Sequence, residues 1–74
     1  MKTRALILCA DGSEEMELVI PMNLLRRGGV EVTLASLAPG PVTGSRGIVL
    51  VPDAVLNESM RGDALILPGG LTGV

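Results

Sequence analysis

Two short stretches, Ala5-Leu6-Ile7-Leu8-Cys9-Ala10 and Ala64-Leu65-Ile66-Leu67, are apolar without a break and stop at turn residues, Asp11-Gly12 after the first and Pro68-Gly69-Gly70 after the second. Runs of this length with no polar alternation suit strands buried on both faces, as in a parallel sheet. Parallel strands need a crossover, and the spacing predicts a helix over Glu14 to Arg27. Ser13 is the expected N-cap, and Glu14 and Glu15 sit where the helix dipole favours acids. Arg26 and Arg27 suit the opposite end, and Gly28-Gly29 stops it. Pro21 is the misfit, since it should kink the helix or remove one hydrogen bond. Val30 to Leu37 reads as the next strand, which completes a right-handed βαβ unit. Beyond the Pro39-Gly40-Pro41 turn, Val42 to Ser45 and Ile48 to Val51 read as a hairpin joined near Arg46-Gly47. Asp53 to Met60 is expected to hold a short helix broken by Arg61-Gly62, with Asp53 and Asp63 as turn or cap residues.

Composition narrows what such a unit can do. A chain of 74 residues is one domain at most, and it buries only about 60% of its unfolded surface. With 47% hydrophobic residues and 19% charged, disorder is not expected. There is no Phe, Trp or Tyr, so the core must be aliphatic and no stacking platform for single-stranded nucleic acid exists. A net charge of −2 with scattered basic residues speaks against nucleic acid or an anionic membrane as partner. One cysteine and no histidine exclude a Cys/His zinc site, and no cofactor or metal is expected. A lone thiol and the lack of a long apolar span fit a soluble, cytoplasmic protein.

In open α/β sheets chemistry gathers past the carboxyl ends of the strands, here Asp11-Gly12 and Pro68-Gly69-Gly70. The sequence stops four residues after Gly70, leaving no room for a helix to cover the last strand. Part of one sheet face is therefore expected to be bare. On a helical wheel Glu15 falls with Asn23, Arg26 and Arg27 on the solvated side, whereas Glu17 projects between Leu24 and Pro21 on the apolar side. A buried carboxylate must find donors or take up a proton, and a protonated one could hold a thiolate or an oxyanion. The alternative is that Pro21 twists the helix enough to bring Glu17 into water.

The segments "RALILCADGSEEMELVIPMNLLRRGGVEVTLASL", "PVTGSRGIVLVPDAVL" and "DALILPGG" together resemble the ThiJ/PfpI superfamily, in its protein-deglycase branch. The resemblance covers nearly the whole chain. It implies a flavodoxin-like α/β fold (class I glutamine amidotransferase-like), a parallel sheet with flanking helices, of which residues 1–74 are the N-terminal part of a single domain. It also implies a homodimer and a cysteine nucleophile on a strand-to-helix elbow. By the same resemblance Glu17 is the catalytic, thiol-orienting acid, and Gly69 and Gly70 offer backbone N–H groups to an oxyanion. Arg46 reaches the site from the partner subunit. Read from residue type alone, Met16 is expected to fill the core or the dimer interface. The family's nucleophile lies beyond "LPGG" in an A-I-C-A stretch that is absent here, and so does an assisting histidine. Cys9, inside the first strand, is not its replacement, and two accessory cysteine positions are Gly44 and Val51.

The chain is thus expected to be the N-terminal portion of a cysteine-dependent deglycase or glyoxalase-like hydrolase with chaperone and oxidative-stress roles, inactive alone. Its partners would be a small reactive carbonyl or glycated substrate and a second copy or complementary C-terminal chain. A non-catalytic dimerising or holdase-like module is the alternative, and a cut piece of a longer protein is a third description of the same sequence.

Overall fold

The computed structural model describes residues 3–69. Strand β1 (Arg4–Cys9) leads into helix α1 (Glu15–Arg27) and strand β2 (Glu31–Ser36), followed by the short strands β3 (Val42–Thr43), β4 (Val49–Leu50), β5 (Ala54–Val55) and β6 (Ala64–Ile66). Four of them make a sheet in the order β5-β2-β1-β6. Every pairing in it is parallel: Ile7 lies opposite Leu34 on one side and Ile66 on the other. The βαβ unit and the second apolar run are therefore where the pattern places them, but burial on both faces is not seen: in β6 Ala64 and Leu65 are exposed and Ile66 is half-buried, because only one side of the sheet is covered.

Alternate residues of β1 and β2 point to α1. Ala5, Ile7, Cys9, Val32 and Leu34 form the core with Leu18, which is fully buried, and Val42 closes it at the hairpin end. Met22, Leu25, Val30, Leu50 and Ile66 pack around this cluster. The opposite sheet face is less covered: Leu6 and Leu8 are half-buried, and Leu65 and Leu67 are exposed. The strands are thus buried on one face only, as the expectation of a partly bare sheet requires. Among the described residues no helix is long and apolar enough to cross a membrane.

Three local expectations are corrected. Ser13 does not cap α1. It is fully buried, where its hydroxyl donates to Ala10 O at 2.8 Å and accepts from Ala10 N at 3.0 Å, closing the turn after β1. The cap is Glu14, with an extended backbone and a carboxylate that accepts the N–H of Met16. Pro21 lies inside the helix without ending it, so the cost is the N–H it lacks. At the far end Gly28 and Gly29 donate back to Leu24, Leu25 and Arg26, and Gly29 takes the left-handed φ of +87° that closes such a terminus.

The short helix expected between Asp53 and Met60 does not form. Ala54 and Val55 instead pair with Ala35 and Ser36 as an edge strand. Asp53 makes this possible. Its N–H donates to Leu34 O at 2.8 Å, and its carboxylate accepts Leu34 N at 2.8 Å and the Arg26 guanidinium at 3.0 Å. Pairing with the open edge of β2 outweighs local helix preference. The following turn is held by the Asn57 side chain, which accepts from both the N–H and the hydroxyl of Ser59. The hairpin is shorter than expected, with Val42 opposite Leu50 and Thr43 opposite Val49, and residues 44–48 form the turn.

Candidate active site

The first turn of α1 stands between two chain segments. On one side the carboxylate of Glu17 accepts the backbone N–H of Gly69, just past β6. The N–H of Glu14 in turn donates to Gly69 O at 3.1 Å. Side chain and backbone thus hold one residue at both of its polar groups. A Cβ on Gly69 would stand 2.8 Å from Glu17 Oε1, so a side chain there would push the carboxylate aside. Gly70, the other expected oxyanion donor, lies outside the described residues.

Glu17 itself is exposed, not enclosed as the wheel implied. The wheel had the wrong arc. Ile20 and Leu24 are 50% and 61% exposed, and the buried stripe runs instead through Glu15, Leu18, Met22 and Leu25. Of the two readings of Glu17, solvent access is the one seen, although the cause is where α1 sits on the sheet and not a twist at Pro21. Met16 is exposed on the same helix, at 64%.

On the other side of the turn stands the group that the sequence reading missed. Glu15 was expected on the solvated face and is 3% exposed. Its carboxylate accepts Arg46 N at 2.8 Å, Ile48 N at 3.1 Å and the Ser45 hydroxyl at 3.3 Å. Burial pushes this carboxyl up, but its own N–H, those of Ile48 and Arg46 and the Ser45 hydroxyl outweigh that and hold it below the usual glutamate range. Asp11 repeats the device on a smaller scale, accepting Thr43 N at 3.0 Å while Gly12 N donates to Thr43 O at 2.9 Å. Glu15 could have been found from its spacing: 15, 18, 22 and 25 form one helical stripe.

Arg46 is joined to this site through its backbone. Its side chain is exposed, and among the described residues the guanidinium makes no hydrogen bond or ion pair. No contact brings it to Glu17. Cys9 is 1% exposed at the end of β1, and burial first, then the Asp53 carboxylate, raises its thiol pKa. It behaves as a small core residue, as expected of a cysteine inside a strand. No cluster of metal-ligating side chains occurs among the described residues.

The model of the DJ-1/PfpI family matches residues 3–74. The chain belongs to that family. It is 46% identical over 74 residues to the Parkinson disease protein 7 homolog of Danio rerio, an overlap covering 95% of this chain and 39% of that protein. A deglycase of Thermococcus kodakarensis is 41% identical over 69 residues, 90% of this chain and 42% of its own. The crystal structure of Drosophila melanogaster DJ-1beta superposes with a TM-score of 0.91 at 42% identity, over 99% of this chain and 41% of that one. The chain therefore spans about two fifths of the length of these DJ-1/PfpI relatives and carries the corresponding part of their flavodoxin-like sheet.

Proposed function

We propose that residues 1–74 supply one wall of the active site of a cysteine-dependent deglycase or glyoxalase-type hydrolase, as the N-terminal portion of a single domain. The observation that carries this reading is the Glu17 carboxylate meeting the Gly69 N–H beside the carboxyl end of β6. That is where an open α/β sheet gathers its chemistry. The thiolate comes from a nucleophile elbow outside this sequence. It forms a bond to the carbonyl carbon of a reactive carbonyl or glycated substrate while the C=O electron pair moves onto oxygen. Glu17 orients the thiol, takes up its proton as the thiolate forms and passes that proton to the oxygen. Because the Gly69 N–H is engaged by Glu17, stabilisation of the oxyanion falls first to Gly70.

Arg46 and Met16 belong to the same reading. Met16, Val19, Ile20 and Leu24 give α1 an exposed apolar face, which suits packing against a second copy of the chain, with Arg46 presented towards the partner's site. Roles in oxidative stress and as a chaperone would act through the intact protein in a reducing compartment.

Methylglyoxal consumption tests the catalytic reading. The 74-residue chain alone should give background only. Turnover above background would make Cys9 the nucleophile and overturn it. The exposed α1 face favours a second reading, a non-catalytic dimerising or holdase-like module. Size-exclusion mass checks that reading, and a monomer that ignores the intact homologue would dismiss it.

A further inference from the structure

The Asp11-Gly12 pair at the end of β1 has a chemistry that the proposed reaction does not use. Glycine has no side chain to keep its nitrogen away from the preceding carboxyl carbon, and its φ is free. The Gly12 nitrogen can therefore form a bond to Asp11 Cγ, losing its proton while a carboxyl oxygen leaves as water. The five-membered imide that results takes water back at either carbonyl. Opening on the Cα side leaves isoaspartate, in which the main chain runs through Cγ and a free α-carboxylate remains. One water leaves and one returns, so no other reactant is needed.

Burial does not prevent this, because Asp11 is exposed and Gly12 only half-buried. Thr43 does. Its N–H donates to Asp11 Oδ1 at 3.0 Å, and its carbonyl accepts the Gly12 N–H at 2.9 Å. One residue of β3 thus engages both reacting groups, with Gly12 held at a φ of +90°. The carboxyl cannot turn its carbon to the nitrogen without giving up the first bond. The nitrogen cannot shed its proton without giving up the second. The hairpin itself is closed elsewhere, by Val42 opposite Leu50 and by Gly44 N donating to Ile48 O at 2.8 Å.

We propose that Asp11-Gly12 is a site of spontaneous conversion to isoaspartate, guarded in the folded protein by the main chain of Thr43. Conversion adds one carbon to the main chain between β1 and α1. It displaces the first turn of α1, from which Glu15 reaches the 44–48 turn and Glu17 reaches Gly69. The event that exposes the site is the parting of β3 from the turn after β1, not unfolding of the sheet.

Peptide mapping of the 74-residue chain, aged in warm neutral buffer, tests this with a protease that cuts before aspartate and not before isoaspartate. A synthetic peptide of residues 7–15 sets the unguarded rate. The folded chain should convert at least about ten-fold more slowly than the peptide, as a locally closed backbone requires, and in urea the two rates should agree. Thr43→Pro removes the N–H that holds Asp11, at an edge position where proline is tolerated. It should keep a cooperative melt and lose most of the protection. Thr43→Val keeps both main-chain groups and should stay as slow as the parent. If the proline variant does not fold, deuterium exchange at the Gly12 N–H of the parent decides, since a guarded amide should exchange at least about ten-fold more slowly than in the peptide. Conversion of the folded parent at the peptide's rate, a folded proline variant as slow as the parent, or unprotected exchange at Gly12 would overturn the proposal.

Discussion

The carboxylate of Glu15 occupies the space that any side chain at Gly44 would need. Both positions are consequently restricted, Glu15 by three donors and Gly44 by the Cγ, Cδ and Oε2 atoms of the side chain they hold. Gly44→Ala should destabilise the protein by roughly 1–3 kcal/mol, the usual range for an overpacked site. Urea denaturation measures this. In a Glu15→Ala background the same change should cost much less, because the obstruction is gone. Equal costs in both backgrounds would show that the two residues do not compete.

Acid should weaken the fold through Glu15. Its folded pKa lies below the ordinary value, so between the two values the unfolded chain binds the extra proton. The stabilisation is fully present above about pH 4.3, the unperturbed glutamate pKa, and disappears as the pH falls through the lower folded value. Urea midpoints collected from neutral pH downward should trace this fall. Glu15→Gln should flatten the part due to this residue, and an unchanged profile in that variant would assign the acid sensitivity elsewhere.

Leu18 is the only fully buried apolar residue of α1 and fastens the helix to the face of β1 and β2. Leu18→Ala should cost about 2–5 kcal/mol. In a domain this small that is a large share of the stability. Circular dichroism should show loss of the cooperative melt, and a melt within a degree or two of the parent would contradict the packing described.

The Cys9 thiol should resist modification. It is buried, and its pKa is raised by burial and then by Asp53. Iodoacetamide at neutral pH should label it slowly until urea unfolds the chain, after which labelling should become rapid. Fast labelling of the folded protein would place the thiol at the surface.

Asp53 should matter more than its visible ion pair with Arg26. That pair is 46% exposed on both sides, and such contacts contribute on the order of 0–1 kcal/mol. The Asp53 carboxylate also accepts Leu34 N at the sheet edge. Asp53→Ala should therefore lower the urea midpoint more than Arg26→Ala. The reverse order would mean that the edge contact carries little weight.

The parallel sheet was legible in the residues because Ala5 to Ala10 and Ala64 to Leu67 have few other uses, and Gly28-Gly29 marked the helix end. The start of α1 was harder. Ser13 has the chemistry of a cap, but its hydroxyl was drawn into the turn at Ala10, and no local pattern reveals that. Glu15 and Glu17 were exchanged for a related reason. A wheel ranks faces by polarity, and it has no knowledge of the three donors that the 44–48 turn brings to Glu15. Asp53 to Met60 misled in the same way, since β5 exists because β2 has an edge to offer. Contacts made by residues distant in sequence decided each of these points.

Pro21 carries one further implication. With no N–H to offer, it leaves the main-chain carbonyl of Glu17, four residues back, without its ordinary helical partner. The residue that grips Gly69 with its carboxylate thus also has a spare acceptor on its main chain. Glu17 is a two-handed group, able to hold the loop with one oxygen-bearing arm while the other stays open to water or to a donor arriving from elsewhere.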